Sequence, residues 1–154
     1  MGRMPALKAT LRTDLHEAMR AKDELRTATI RMVLTALTNE EVAGDTAREL
    51  SDDDVLVVLR REAKKRKEAA TAFADGGRPE RAEREQAELA VVEGYLPAQL
   101  DDAELSALVA AAIGSTGASG PKAMGPVMKA VQASVVGRAD GGRVSAEVRR
   151  QLAG

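Results

Sequence analysis

From Leu7 to Leu152 the apolar side chains of this chain recur every three or four residues, in runs closed by glycine or proline. That period sets them on one stripe of a helix, whereas no window alternates apolar and polar residues for long enough to build a sheet. A stripe must be buried against another stripe, so an all-α architecture of packed helices is expected. Aromatic residues make up only 1% of the sequence, one Phe and one Tyr, against 44% apolar residues in all. The core must then be Leu, Val, Ile, Met and Ala.

A first helix is expected from near Pro5, a residue suited to the first helical turn, with Leu7, Leu11, Leu15, Ala18 and Met19 on one face. The only histidine, His16, points away from that face and reads as a solvated side chain. Asp23 is placed to cap a second helix reaching about Val42, whose apolar residues Leu25, Ile30, Met32, Val33, Leu34, Ala36 and Leu37 cover an arc of roughly 200°. So wide an arc expects a central position. Ser51 and Asp54 have the spacing of a capping box at the head of a third helix, about Asp52 to Ala74, striped by Val55, Leu59, Ala63, Ala70 and Phe73. Glu62 and Arg66 are i,i+4 neighbours on or beside that stripe, and a partly buried ion pair orienting two helices is expected there. Gly76-Gly77 ends the helix and Pro79 starts a fourth, to about Gly94, so that the N-terminal bundle contains a long helical hairpin.

Proline disfavours helix at its own position and just before it, so Leu96-Pro97-Ala98-Gln99-Leu100 reads as a boundary. It divides an N-terminal helical domain, residues 1–95, from a small three-helix module, residues 96–154. Asp101 with Glu104 gives another capping-box start, and Gly114 to Gly120 forms a loop. Pro121 opens the next helix, with Met124, Val127, Met128 and Val131 inward and Lys122 and Lys129 on the opposite side. After a second loop, Gly137 to Gly142, the last helix from about Arg143 turns Val144, Val148 and Leu152 inward and Arg143, Arg149 and Arg150 outward.

Lysine and arginine total 23 against 24 acidic residues, a formal charge of −1, so any site for a polyanion must be local. The third helix gathers Arg60, Arg61, Lys64, Lys65, Arg66 and Lys67, of which Arg60, Lys64 and Lys67 fall within about 60° of arc. Such a ridge can follow a phosphate backbone; equally, it can be a solvated face paired with acids of the next helix such as Glu80, Glu83, Glu85 and Glu88. In the C-terminal module the basic residues Lys122, Lys129, Arg138, Arg143, Arg149 and Arg150 gather on the last two helices and the loop between them.

The means of catalysis are scarce. Without cysteine there is no disulfide framework, thiolate nucleophile or thiolate metal site, and the carboxylates lack metal-ligand spacing. Asp52, Asp53 and Asp54 point in different directions on a helix and suit its N-terminal dipole. Both glycine-rich loops lack the lysine-serine/threonine ending of a nucleotide-binding loop. No self-contained catalytic centre, metal or cofactor is expected. With neither a leader-like apolar run at Met1 to Leu15 nor a stretch of roughly 20 apolar residues, a cytoplasmic location is expected, with no membrane and no DNA as partner.

The motifs also have a recognisable order: Asp14-Leu15, Ala18-Met19-Arg20-Ala21-Lys22-Asp23, Arg31-Met32-Val33-Leu34, Arg61-Glu62-Ala63-Lys64-Lys65-Arg66 and Gly77-Arg78. They continue with Glu93-Gly94-Tyr95-Leu96-Pro97-Ala98-Gln99-Leu100, Met124-Gly125-Pro126-Val127-Met128 and Gly137-Arg138-Ala139-Asp140-Gly141. The ordered set closely resembles the GatB/YqeY family over nearly the whole chain. That resemblance implies a free-standing, two-part helical protein whose C-terminal module is similar to the tRNA-contacting tail of the GatB subunit in the tRNA-dependent amidotransferase.

What the resemblance implies for function is an accessory protein associated with tRNA and without independent catalysis, since the ligase and glutaminase sites of that enzyme lie outside the tail. The phosphate contacts expected are Lys122, Lys129, Arg138, Arg143 and Arg150, with Arg60, Lys64 and Lys67 as a further set. Met124 and Val127 are expected to pack the module, Gly125, Gly137 and Gly141 to permit turns, and Asp140 to cap a turn or helix. Two alternatives stay open: a helical adaptor that docks a protein partner, and a carbon–nitrogen ligase subunit using glutamine as amido donor.

Overall fold

The computed structural model describes residues 6–117, 119–135 and 138–153. Pro5 and Gly137 lie outside the described residues. The chain is all-α: α1 spans Ala6–Arg20, α2 Glu24–Glu41, α3 Asp52–Asp75, α4 Pro79–Glu93, α5 Asp102–Thr116, α6 Met124–Val135 and α7 Gly141–Ala153. A single 3₁₀ turn, Pro121–Ala123, leads into α6, and no strand occurs among the described residues. The contacts separate into two compact units, Met1–Leu96 and Pro97–Gly154. Leu96 packs against the first core, one residue beyond the boundary read from the sequence.

In the first unit the expected helix starts are met by specific hydrogen bonds. The Asp23 carboxylate accepts from the backbone N–H of Arg26, and Ser51 and Asp54 exchange side-chain and backbone bonds as a complete capping box. The α3–α4 turn closes through Gly77 at φ 73°, a conformation open to glycine, which lets the N–H of Arg78 return to the carbonyl of Phe73 at 2.8 Å. Helix α2 packs against α1, α3 and α4. Its buried arc is narrower than its apolar residues suggest: Ile30, Val33 and Leu37 are buried with Thr29, while Met32 is 41% exposed. Thr29 is tolerated at full burial because its hydroxyl donates to the carbonyl of Leu25 at 2.8 Å.

Among the described residues four charged side chains, Lys8, Glu62, Arg66 and Glu88, are interred in this unit's packing. Arg66 Nη1 donates to Glu62 Oε1 at 2.9 Å, with both side chains at least nine-tenths buried, and the other end of the guanidinium reaches Met32 Sδ of α2 at 3.7 Å. The expected ion pair thus forms and faces a second helix. Glu88 of α4 is also buried, and desolvation followed by the nearby Glu85 raises its carboxyl above the ordinary 4.5. A raised carboxyl means the unfolded chain releases its proton first, so stability is lost as pH climbs from about 4.5 through the higher folded value. Glu88→Gln removes that titration. We expect it to unfold at a higher urea concentration than the parent near neutral pH, and to lose less stability than the parent between about pH 4.5 and neutrality; equal midpoints at neutral pH would contradict this.

The second unit closes around Leu105, Val109, Val127, Val131, Val144 and Val148. Asp101 and Glu104 form the expected capping box on α5. Met124 and Met128 pack against this core, in agreement with the sequence reading. Four local expectations are corrected. Helix α5 continues through Gly114 to Thr116, where a loop was expected from Gly114 onward. Pro121 starts a 3₁₀ turn and not the α-helix itself. Helix α7 begins at Gly141, two residues early, because Asp140 caps it by accepting from the N–H of Gly142 at 2.8 Å. Gly125 and Gly141 therefore sit inside first helical turns and not in loops, and a Cβ at either would meet open space.

Candidate nucleic-acid interface

An interface for phosphate needs cations whose charge is not already used. The basic residues of the second unit divide sharply on this test. Arg138 Nε donates to the carbonyl of Ala98 at 3.3 Å, while its own carbonyl accepts from the N–H of Leu100 at 2.8 Å. Arg143 Nη2 donates to the carbonyl of Leu100 and to Asp102 Oδ1, both at 3.0 Å. These two arginines stitch the segment leading into α5 to the start of α7. Arg150 is held by Glu147 in a two-pronged pair at 2.6 and 2.8 Å, and that pair, with Gln151, pulls the Glu147 carboxyl down to about 2. Lys122, Lys129 and Arg149 remain: all three are exposed, and among the described residues no carboxylate pairs with them. Sequence spacing alone placed all six together; only the fold reveals which carboxylates and carbonyls lie within reach.

Arg149 also lines a cavity of about 510 Å³ whose other walls are Pro121, Met124, Leu152 and Ala153, with no acidic residue among them. Lys122 follows Pro121 directly, and Lys129 lies five residues beyond Met124, about 7.5 Å along α6. At Arg149 a cation thus adjoins the apolar wall, whereas Lys129 lies about 140° further round α6 from Met124. A second opening, between α5 and α7, is lined by Asp102 and Glu147 as well as Arg143 and Arg150, a balanced set already paired within itself.

On α3 the ridge is only partly committed. Arg61 pairs with Glu40 at 3.2 Å, Lys65 with Glu62 at 3.2 Å and Lys67 with Glu93 at a loose 3.8 Å. The expected pairing with α4 acids is met only in part: Glu93 takes Lys67, Glu88 lies within the field of Arg66 and pairs with Arg84, which itself holds Glu24 by two bonds, and among the described residues Glu80, Glu83 and Glu85 form no ion pair with the ridge. Arg60 and Lys64 carry no carboxylate partner among the described residues. They stand four residues, or about 6 Å, apart along the helix, close to one internucleotide step.

Two clusters escaped the sequence reading. Lys8, buried on α1, bonds Glu41 of α2 at 2.8 Å, a pairing across 33 residues that no local pattern announces. Tyr95, the lone tyrosine, donates to Asp14 and accepts from Arg26 Nη2 at 3.1 Å; burial and the Asp14 bond together raise its hydroxyl well above its usual range. Asp14 and Tyr95 both stand in family-like motifs, which was the available signal. Their role is to fasten the end of α4 to α1 and α2. No group of three metal-ligating side chains converges among the described residues, and none of the described helices is long and apolar enough to cross a membrane.

Compared with known proteins, a family profile described as Yqey-like protein matches residues 8–152. A mitochondrial protein of Pyrenophora tritici-repentis named altered inheritance of mitochondria protein 41 is 31% identical over 133 residues, covering 84% of this chain and 71% of the relative. Its namesake from Lachancea thermotolerans is 32% identical over 88 residues, 57% of this chain and 46% of the relative. The Kluyveromyces lactis protein of that name is 36% identical over 88 residues, again covering 46% of its own length. The chain thus spans about half the length of two of these relatives.

Proposed function

The chain belongs to the YqeY-like family, and from that premise we propose that it is a cytoplasmic accessory protein that holds tRNA through the phosphate backbone. The observation that carries this reading is that Lys122, Lys129 and Arg149 gather on the last two helical segments of one unit, and Arg60 and Lys64 on one ridge of the other, with no carboxylate partner among the described residues, a state they share with the more scattered Arg12, Arg20, Lys22, Arg31, Arg78 and Arg81. In a chain of formal charge −1, cations left unpaired while their neighbours are paired are available to an outside anion. The similarity of the C-terminal module to the tail of the amidotransferase GatB chain supports tRNA over other RNA. Binding depends on charge and backbone shape, because one Phe and one Tyr cannot form a platform for several bases.

Affinity for unacylated and aminoacylated tRNA across a salt series tests the proposal. Each phosphate neutralised on a duplex contributes a log–log slope of about −0.9, so three contacts give a slope near −3 and five a steeper one. No binding at low salt, or a flat slope, removes the reading.

A second reading has its own observation. Among the described residues the exposed large apolar side chains, Met19, Met32, Val42 and Val57, belong to the first unit, as an adaptor docking a protein through helical faces would require. A complex that survives nuclease and high salt would favour it.

A further inference from the structure

We infer that the cavity walled by Pro121, Met124, Arg149, Leu152 and Ala153 receives the base of one unpaired nucleotide, so that this unit prefers RNA with a single-stranded end to a blunt duplex. The inference rests on the RNA reading above and adds what that reading does not contain, a contact beyond the phosphates.

The lining and its setting carry the argument. At about 510 Å³ the cavity lies within the usual size range for sites that take one compact group. Its walls supply apolar atoms from Met124, Leu152 and Pro121 and one planar cation, Arg149, whose guanidinium can stack on a base as an aromatic ring would. A nucleotide presents the matching pair of features, a flat base and a charged phosphate. Lys122, next to Pro121 in the chain, is exposed and has no carboxylate partner among the described residues, which leaves it available to a flanking phosphate. An acidic protein helix would match the charge. It would also need a run of apolar holes at i, i+3, i+4 and i+7, and among the described residues the walls here form a single cavity.

The test uses the full chain and two RNA hairpins of identical stem, one blunt and one with a single-nucleotide 3′ overhang, read by fluorescence anisotropy at low salt. The overhang is expected to bind roughly tenfold tighter, within the range of one base stacked on a side chain. Ala153 is exposed in the last turn of α7, so Ala153→Trp fills the cavity from its rim, and it should bring the overhang-to-blunt ratio to about one. Arg149→Lys keeps the charge without the plane and should also shrink the ratio. Equal affinities for the two hairpins in the parent chain overturn the inference and leave the RNA reading standing, as does a preference that survives Ala153→Trp. Failure of both hairpins to bind overturns the RNA reading with it. If an acidic, leucine-bearing helical peptide bound more tightly than the overhang RNA and Ala153→Trp blocked it, the cavity would belong to a protein partner instead.

Discussion

Arg66→Ala is expected to lower the unfolding free energy of the first unit by about 3–5 kcal/mol, the cost of removing one partner of a buried ion pair. Arg66 is 5% exposed, and its guanidinium bonds both the carboxylate and the backbone carbonyl of Glu62. Without it, Glu62 and Glu88 are two desolvated carboxylates with only the more exposed Lys65 and Arg84 nearby. The urea midpoint should fall by about 1 M or more. Replacing both members, as in Glu62→Leu with Arg66→Met, should recover most of the loss, because well-packed apolar residues often substitute for a buried pair at little cost. A single variant as stable as the parent would show that the pair is not buried as described.

Simultaneous Lys122→Glu, Lys129→Glu and Arg149→Glu are expected to reduce tRNA affinity by about a hundredfold or more at low salt while leaving the melting profile near that of the parent. The reasoning has two parts. Each cation contributes a phosphate contact, and reversal both removes it and adds repulsion, so three together exceed the loss from simple neutralisation. The three side chains are exposed with no carboxylate partner among the described residues, and surface substitutions away from cores, caps and ion pairs usually change stability by no more than about 0.5 kcal/mol each. A large loss of helicity would mean that these residues support the fold; unchanged affinity would mean that the RNA lies elsewhere.

Much of this architecture was legible in the order of side chains, because the signals were local. Ser51 with Asp54, Asp101 with Glu104, and Asp23 announce helix starts through bonds made within three residues. Glu62 and Arg66 announce their pair through one helical turn. What escaped depended on distance along the chain. Lys8 meets Glu41, and Asp14 meets Tyr95 across 81 residues, neither foreseeable from period or spacing. The candidate interface sits between these cases. Periodicity correctly put Lys122 and Lys129 opposite the apolar stripe, yet it ranked Arg138 and Arg143 with them. Whether an outward arginine is available depends on which carbonyls the preceding segment presents, and Ala98, Leu100 and Asp102 come within reach only once α7 has packed against α5. Arg149, which also lines a cavity with apolar walls, was seen as outward without anything to set it apart.

That division between arginines that hold the fold and cations that face a ligand is open to one comparison: Arg143→Ala beside Arg149→Ala, each measured for thermal unfolding and for tRNA affinity in the same buffer. Arg143→Ala should melt earlier, because the carbonyl of Leu100 and the carboxylate of Asp102 lose their donor. Arg149→Ala should melt with the parent and bind tRNA several-fold more weakly, with a salt slope shallower by about one. The opposite pattern, an unfolding effect at Arg149 and a pure affinity effect at Arg143, would contradict the account.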